Sequence, residues 1–387
     1  MAAVLGLAAC GSSPSAPADG ASAEPYQILA VISLSGPAGS VGTAQQRGLQ
    51  AAAEVINAEG GIQGRRIETT VVDDGGDPTK AVSLLQERLA GGTLPDLAVH
   101  GTTSTVALAL LPVLTRAGVL SVSFPSDSRV NDPQAFPYAF GANAPSAVQA
   151  EGVSKVVVDL KPRKVAVLTP DDAFGTTIGN TIKRELDAAG VPYAAESFRT
   201  SDVDLTPQVE RLKAADPDIF LYSALGASSS LVLQAVERTG LEVPLIGDNQ
   251  VATAPITGVS PETVARLKVY ATPIMVPPPA GTETKGYTAF MDTIKAQGQI
   301  VTALNLYSHQ YDVVQMVKLA ADQAKSTDRD AVVAALESLQ QPPEGERPYV
   351  TYPTMSYSRT SHFPDVKPGD FVLTQAAQLQ NGQFPQA

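Results

Sequence analysis

Short apolar runs alternate with longer stretches of helical periodicity from Tyr26 onward. The run 28–33 predicts a buried strand. Thr43 is predicted to cap the helix that follows, because apolar residues between Leu49 and Ile56 recur at helical spacing. The alternation continues with strands at 67–72, 97–99 and 119–122, and with helices after the capping pair Asp77-Pro78 and at 105–116. Strand, helix and strand at this spacing are typical of parallel βαβ units.

The same alternation restarts after Asn143-Ala144-Pro145. It predicts strands at 165–168, 193–198, 219–222 and 243–246, and helices at 146–160, 175–189, 205–214 and 229–239. Because each strand is followed by a helix, the pattern indicates a second parallel sheet.

A third section begins near residue 268, with a strand at 268–274, prolines at 277–279 and helices near 284–297, 302–323 and 328–338. It is too short and too helical for a third sheet, so we expect it to return to the first lobe. The predicted fold class is therefore α/β, with two doubly wound parallel-sheet lobes joined by three crossings. The expected lobes are 26–144 with 273–349, and 145–272 with 350–387. Ligands of such sheets bind at the carboxyl ends of the strands.

Composition narrows the possible functions. The 387 residues are 44% hydrophobic and 17% charged, which suits two well-packed domains. The net charge of -12 argues against nucleic acid as a partner, because neutralising phosphates needs clustered Lys and Arg. No apolar stretch is long enough to predict a membrane-spanning helix.

Cys10 ends the apolar run 4–9 and is followed by small polar residues. This arrangement resembles a bacterial lipobox, in which the Cys is lipidated and residues 1–10 are the remnant of a lipoprotein signal; an ordinary buried Cys is the alternative. Met1 to Val4 lack the basic residues of a signal peptide. Residues 11–25 are small, polar and Pro-rich, which favours a flexible tether. We expect an extracytoplasmic protein, periplasmic or on the cell surface, whose lipid is its only attachment to the cytoplasmic membrane.

Hydroxyl side chains follow the third predicted strand at Thr102, Thr103, Ser104 and Thr105, directly before a helix. Hydroxyls and free backbone N–H groups at a helix N-terminus bind carboxylates. Simple capping by Thr103 or Ser104 is the alternative. The loop 123–128 follows the next strand at the same sheet edge, where ligand contact and an exposed turn remain equally open.

Other polar clusters have simpler explanations than catalysis or metal binding. The acidic run 73–78 does not match a calcium loop, so strand-end and capping roles explain it. The run 171–175 is predicted to cap a helix, with Phe174 a candidate for facing the cleft. The sequence has no hydrolase elbow, P-loop or zinc-protease motif. The histidines lack metal-ligand spacing: His100, His309 and His362. We expect no metal, no cofactor and no catalysis.

Short motifs recur in a fixed order along the chain: LSGP at 34–37, GGIQG at 60–64, DDGGDP at 73–78, TTST at 102–105, DPD at 216–218 and Gly240. As a set they resemble the periplasmic-binding proteins of the branched-chain amino-acid type, over roughly residues 26–320. The resemblance implies a type I periplasmic-binding fold whose two lobes close on a ligand. It also implies delivery of that ligand to the membrane permease of an ABC importer. We expect a monomer.

The resemblance further implies which residues contact the ligand. The group that binds its carboxylate corresponds to Thr102 and Thr103, with the Pro125 carbonyl and Ser126 nearby. A Thr that lies beside the ligand ammonium in the family falls on Asp127 in this chain.

Three further family positions differ in this chain. The family's Glu beside the ammonium falls on Asn249, and two aromatic positions fall on Val41 and Leu225. With these aliphatic residues, we expect an apolar and roomier side-chain compartment. Tyr311, on the predicted helix 302–323, is another candidate for lining it, with core packing as the alternative.

These differences leave two ligand hypotheses open. In one, Asp127 replaces the missing Glu and pairs with the ammonium of an amino acid, since an unpaired buried charge is costly. In the other, the ligand is an amide, a urea-like compound or a hydroxy acid, and Asn249 supplies both a donor and an acceptor. A sensory domain for a membrane signalling protein and an enzyme on this fold are the alternative functions, because one fold serves many roles.

Overall fold

The computed structural model describes residues 24–253 and 256–385. Cys10 and most of the predicted tether lie outside these ranges. The first sheet contains β1 (Tyr26–Ile32), β2 (Ile67–Asp73), β3 (Leu97–His100), β4 (Ser121–Ser123) and β5 (Ala139–Gly141). Its strand order is β2-β1-β3-β4-β5, and all its pairings are parallel.

The second sheet contains β6 (Val165–Pro170), β7 (Tyr193–Phe198), β8 (Ile219–Tyr222), β9 (Leu245–Gly247), β10 (Leu267–Ala271) and β11 (Val372–Gln375). Its strand order is β11-β10-β9-β8-β6-β7. The pairings are parallel except for the antiparallel pair β10–β11. The prediction of two α/β lobes built on parallel sheets is confirmed.

Helices cover both sheets: α1 (Gly39–Ala58), α2 (Pro78–Ala90), α3 (Ser104–Ala117), α4 (Ser146–Asp159), α5 (Ala173–Ala188), α6 (Thr206–Ala214), α7 (Ser228–Thr239), α8 (Pro261–Ala265), α9 (Lys285–Ala296), α10 (Leu304–Ala324) and α11 (Arg329–Leu336). We call β1–β5 with α1–α3 and α9–α11 the first lobe, and β6–β11 with α4–α8 the second lobe. In the first lobe α10 packs on α1. Among the described residues, no helix is both long and apolar enough to span a bilayer.

Strand β1 shows how the first lobe is assembled. Its side chains alternate, so Ile28 and Ala30 join the large core that includes residues of α1 and α10. Leu29 and Val31 point the other way, into a second core formed with α2 and α3. A strand buried on both faces needs a continuous apolar sequence, which is what this segment has.

The N-terminus of α1 differs from the prediction. The helix begins at Gly39, and Thr43 lies inside it, where its Oγ1 donates to the Gly39 carbonyl at 2.9 Å. Thr43 as a cap is therefore wrong. The buried positions Val41 and Ala44 carry the helical pattern back toward Gly39. The capping role predicted for the second helix is confirmed, because the Asp77 carboxylate accepts from two backbone N–H groups of α2.

The third section is divided between the lobes. Its strand, β10, lies in the second sheet and ends before Pro273, which begins a single 3₁₀ turn. Pro lacks the N–H that a continuing strand needs. Only the helices α9–α11 return to the first lobe.

The tail lies first on the first lobe and then on the second. Gly141 of β5 donates its N–H to the His362 carbonyl at 2.8 Å, and the His362 ring stacks on Phe140 with centroids 4.0 Å apart. Only then does the chain reach β11 at the edge of the second sheet. Strands β5 and β11 were not predicted. β5 has only three residues and β11 is largely exposed, so neither shows a clear pattern of apolar residues.

Candidate functional site

A small cavity lies between the two lobes and encloses about 30 Å³. Its lining comes from loops at the carboxyl ends of β3, β4, β5, β6, β8 and β9: Thr102, Thr103, Ser104, Phe124, Pro125, Ser126, Asn143, Asp172, Phe174, Leu225 and Gln250. The direction in which successive strands are added changes between β1 and β3 in the first sheet and between β6 and β8 in the second. Open α/β sheets bind their ligands at such a point. The cavity therefore occupies the binding position that this fold predicts.

The lobes are closed around the cavity. The Thr177 hydroxyl of α5 shares its hydrogen bond between Asp127 of the first lobe and the Ala173 carbonyl of its own helix, each at 3.2 Å. Thr302, just before α10, donates to the carbonyl of Thr253 in the second lobe. The enclosed volume has room for about two water molecules. An organic ligand therefore enters only when the lobes separate.

The first-lobe wall presents hydroxyls at the N-terminus of α3. The Thr102 hydroxyl is engaged inside its own lobe, because it accepts from Ser33 N and donates to Gln45 Oε1, both at 2.9 Å. Thr103 is the N-cap of α3 and accepts from the Val106 N–H, which leaves its own O–H as a donor. The predicted capping and the predicted cavity contact therefore coexist in Thr103.

The β4 loop supplies an apolar part of the same wall. Phe124 and Pro125 line the cavity beside Ser126, whose carbonyl accepts from the Ser146 N–H at 2.7 Å. The Phe124 ring meets the His309 ring edge-on, with centroids 5.3 Å apart. The loop is thus held between the start of α4 and the middle of α10.

The second-lobe wall combines one carboxylate with apolar side chains. Asp172 is the N-cap of α5 and accepts from Gly175 N at 2.8 Å, as the sequence predicted for this run. Burial raises the pKa of the Asp172 carboxyl, and the Gly175 hydrogen bond opposes that rise. Phe174 and Leu225 line the cavity beside it, as does the side chain of Gln250.

Asp127 does not line the cavity. Its buried carboxylate accepts from the Arg129 backbone N at 2.9 Å and from the Arg129 guanidinium at 2.8 and 3.0 Å. The Thr177 hydroxyl is its remaining partner. The structure therefore gives Asp127 an intramolecular cation and an interlobe contact, and does not bring it to the place expected for a ligand ammonium.

Three other candidate positions do not line the cavity. Asn249 donates from Nδ2 to Thr272 Oγ1 at 3.2 Å, and its neighbour Gln250 lines the cavity instead. Val41 is fully buried in α1. Tyr311 packs on Phe290 in the first-lobe core, with ring centroids 5.0 Å apart. Core packing is thus the role that the structure gives both Val41 and Tyr311.

Four lining residues were not among the candidates: Phe124, Asn143, Asp172 and Gln250. Three of the four follow predicted strands, and Asn143 lies on the first crossing. The rule that ligands bind at the carboxyl ends of strands could therefore have identified them from the sequence.

The protein-family model described as periplasmic binding protein matches residues 25–354. The chain therefore belongs to the periplasmic binding protein family. It is 25% identical over 310 residues to "Leu/Ile/Val-binding protein homolog 3" of Brucella melitensis, covering 79% of this chain and 81% of that relative.

Solved structures share the fold. A type 1 periplasmic binding protein from Bordetella pertussis superposes with a TM-score of 0.79 at 21% identity, covering 90% of this chain and 96% of that one. The substrate-binding protein of a branched-chain amino acid transporter from Streptococcus pneumoniae, in complex with isoleucine, has a TM-score of 0.73 at 19% identity. The superposition covers 92% of this chain and 100% of the Streptococcus pneumoniae protein.

Proposed function

We propose that this protein is the extracytoplasmic solute receptor of an ABC importer, which captures an amino acid or a related small polar molecule between its lobes. The main support for this proposal is the closed interlobe cavity, whose walls come from the strand ends of both sheets. A receptor needs such a site because its ligand must contact both lobes to favour the closed form.

The chemistry of the first-lobe wall supports a ligand that carries a carboxylate. Thr103 and Ser104 lie at the N-terminus of α3, and the first turn of α3 contains no acidic residue. Backbone N–H groups and the helix dipole favour an anion there. The names of relatives that bind Leu, Ile and Val agree with this ligand class.

Hinge closure is the proposed mechanism. In the open form each wall is exposed to water, and a ligand contacts only one of them. Closure adds the second wall and forms the Asp127–Thr177 contact, so ligand binding shifts the population toward the closed form. The permease then recognises that form, and the energy for transport comes from its ATPase.

The remaining parts of the proposal concern the protein's setting. We propose that Cys10 is lipidated, that residues 11–25 tether the folded lobes near the membrane, and that the receptor acts as a monomer. We also propose that it binds without catalysis. In this proposal Asn249 holds the second crossing between the lobes in place, because it donates a hydrogen bond to Thr272 on that crossing.

A thermal-shift screen of the purified protein tests the function. The panel contains neutral and charged amino acids, amides, urea and short hydroxy acids. A ligand at about 100 times its Kd stabilises the folded state by about 2.7 kcal/mol, which is several degrees. Stabilisation by neutral amino acids is the expected result. If no member of the panel raises the unfolding temperature, the proposed ligand class is wrong.

A further inference from the structure

A second cavity, of about 360 Å³, shares no lining residue with the interlobe cavity. We call it the hinge pocket. Its walls come from the second crossing after β10, from the start of α9, from the segment 344–353 after α11 and from Val372 of β11. Because β11 belongs to the second lobe and α9 to the first, a molecule that fills the pocket contacts both lobes. Cavities of roughly 300–1,000 Å³ hold small organic molecules.

The residues that line the hinge pocket are rich in rings. Three consecutive prolines at 277–279 line it together with Tyr287, Tyr349 and Tyr352. Tyr349 and Tyr352 are almost fully buried, and the Tyr349 hydroxyl donates to Gln341 Oε1 at 2.6 Å. Since these side chains are already fixed, little rotamer entropy is lost when a ligand packs on them. Such walls suit a planar aromatic group, which packs well against other rings.

The hinge pocket carries one unpaired negative charge. Of its three charged lining residues, Glu344 and Arg347 pair with each other at 2.9 Å. The third, Glu283, accepts from Gly281 N at 2.8 Å through Oε2, and no ion pair between described residues includes it. Burial raises the pKa of Tyr287 and the charge of Glu283 adds to that rise, which places this carboxylate near the Tyr287 phenol. A cation in the pocket would meet a carboxylate and tyrosine rings, and both attract positive charge.

We propose that the hinge pocket is a second ligand site, which binds a planar aromatic molecule with a primary ammonium group. The aromatic part packs against the prolines and tyrosines, and the ammonium lies at Glu283. Because Glu283 is exposed, its ion pair adds little affinity, and most of the binding energy comes from the ring contacts. The site does not depend on the proposed receptor function. Its ligand lies against the second crossing and β11, which move relative to the first lobe when the cleft opens.

Isothermal titration of the purified protein tests the proposal. The probes are tryptamine, indole and indole-3-acetate, which share one ring system and carry a positive charge, no charge and a negative charge. Val372→Arg places a large cation in the pocket from a position that is 36% exposed. Leu373→Arg is the matched control, because this neighbouring residue of β11 is 42% exposed and does not line the pocket. Glu283→Gln removes the charge and keeps the shape.

The wild type should bind tryptamine most tightly, then indole, then indole-3-acetate. Val372→Arg should weaken tryptamine binding by about tenfold or more, because the new side chain fills the pocket and repels the ammonium. Leu373→Arg should stay within about twofold of the wild type. Glu283→Gln should weaken tryptamine binding by about two- to fivefold, as expected for an exposed ion pair, and leave indole binding unchanged.

Three outcomes would overturn the proposal. The first is a wild type that does not bind tryptamine, or that binds indole-3-acetate more tightly. The second is equal tryptamine affinity in Val372→Arg and the wild type, since the molecule would then bind elsewhere. The third is an unchanged tryptamine affinity in Glu283→Gln, a readout that does not depend on how well Val372→Arg folds. The thermal-shift panel tests the receptor function separately, so either proposal can fail while the other stands.

Discussion

The Tyr352 hydroxyl donates a hydrogen bond to Asn143 Oδ1 at 2.8 Å. Asn143 lies on the first crossing between the lobes, and Tyr352 lies in the chain segment that follows α11. The same hydroxyl accepts from the Ala144 N–H at 3.1 Å and lies 3.3 Å from His309 Nε2 on α10. Burial lowers the pKa of His309 to about 4, so its ring is neutral at physiological pH. One buried side chain therefore links the first crossing and the segment after α11 to α10, the longest helix of the first lobe.

Replacing Tyr352 by Phe should destabilise the protein by about 1–3 kcal/mol, because buried groups lose a hydrogen-bond partner without a change of shape. Urea unfolding at neutral pH measures the effect. The control is Tyr193→Phe, whose hydroxyl makes one long, exposed contact with Asp187 at 3.5 Å; it should change the unfolding free energy by less than about 0.5 kcal/mol. Equal effects of the two substitutions would show that the hinge network contributes nothing to stability.

Most of the fold could be predicted from the sequence because its elements are regular. Strands β7 and β8 coincide with the predicted ranges, and β8 is a fully buried apolar run. The expected second lobe, 145–272, contains β10, but the position of this strand within its sheet was harder to predict. It depends on pairing with β9 and β11 across the sheet, and a local pattern does not encode its partners.

The loops that form the walls of the candidate site could be predicted from the sequence. The charged side chains that face the cavity could not. The hydroxyls of the α3 N-terminus follow a strand end, which a sequence shows directly. Whether Asp127 is free to meet a ligand depends on where Arg129 lies, and that is a matter of side-chain conformation. Adjacent residues also point in different directions after a strand, which is why Gln250 lines the cavity and Asn249 does not.

Gly48 permits the close packing of α1 on α10. A Cβ at this position would lie 1.9 Å from the Tyr307 carbonyl oxygen, and backbone cannot move aside as a flexible side chain would. Gly48→Ala should therefore lower the unfolding free energy by about 3 kcal/mol or more. Gly345→Ala is the control, since its Cβ would meet nothing within 4 Å, and it should stay within about 0.5 kcal/mol of the wild type. A mild effect at Gly48 would mean that α1 and α10 are packed less tightly than the structure shows.

Thr177 should affect ligand affinity more than stability. Its hydroxyl lies 3.2 Å from Asp127 Oδ2 across the cleft and 3.2 Å from the Ala173 carbonyl within α5, and only the Asp127 contact requires closed lobes. Thr177→Ala should weaken binding of the ligand found in the thermal-shift screen about 2- to 10-fold, as expected for one net hydrogen bond. Stopped-flow measurement should show the loss mainly as faster dissociation. Thr176→Ala, on the exposed neighbouring position, should leave affinity unchanged. Similar dissociation rates for both variants would rule out a role of the Asp127 contact in closure.

Asp248 should make the stability of the protein depend on pH. Its buried carboxyl lies 2.6 Å from Ser223 Oγ and 3.0 Å from Gln250 N, and burial raises its pKa to about 7. In the unfolded chain the group titrates near pH 4. Between these values the folded protein holds a proton that the unfolded chain has released. The contribution of Asp248 is therefore fully present below about pH 4 and is lost as the pH rises to about 7.

Asp248→Asn removes this titration and keeps the geometry, because the amide oxygen can accept from Gln250 N and the amide nitrogen can donate to the Ser223 hydroxyl. The variant should match the wild type near pH 4 and exceed its unfolding free energy at pH 8 by about 4 kcal/mol, since each pKa unit corresponds to about 1.4 kcal/mol. Urea unfolding from pH 4 to pH 8 measures the difference. The exposed Asp171→Asn should run parallel to the wild type throughout. A constant difference between Asp248→Asn and the wild type across this range would mean that Asp248 is already ionised in the folded protein at pH 4, held by its two hydrogen bonds.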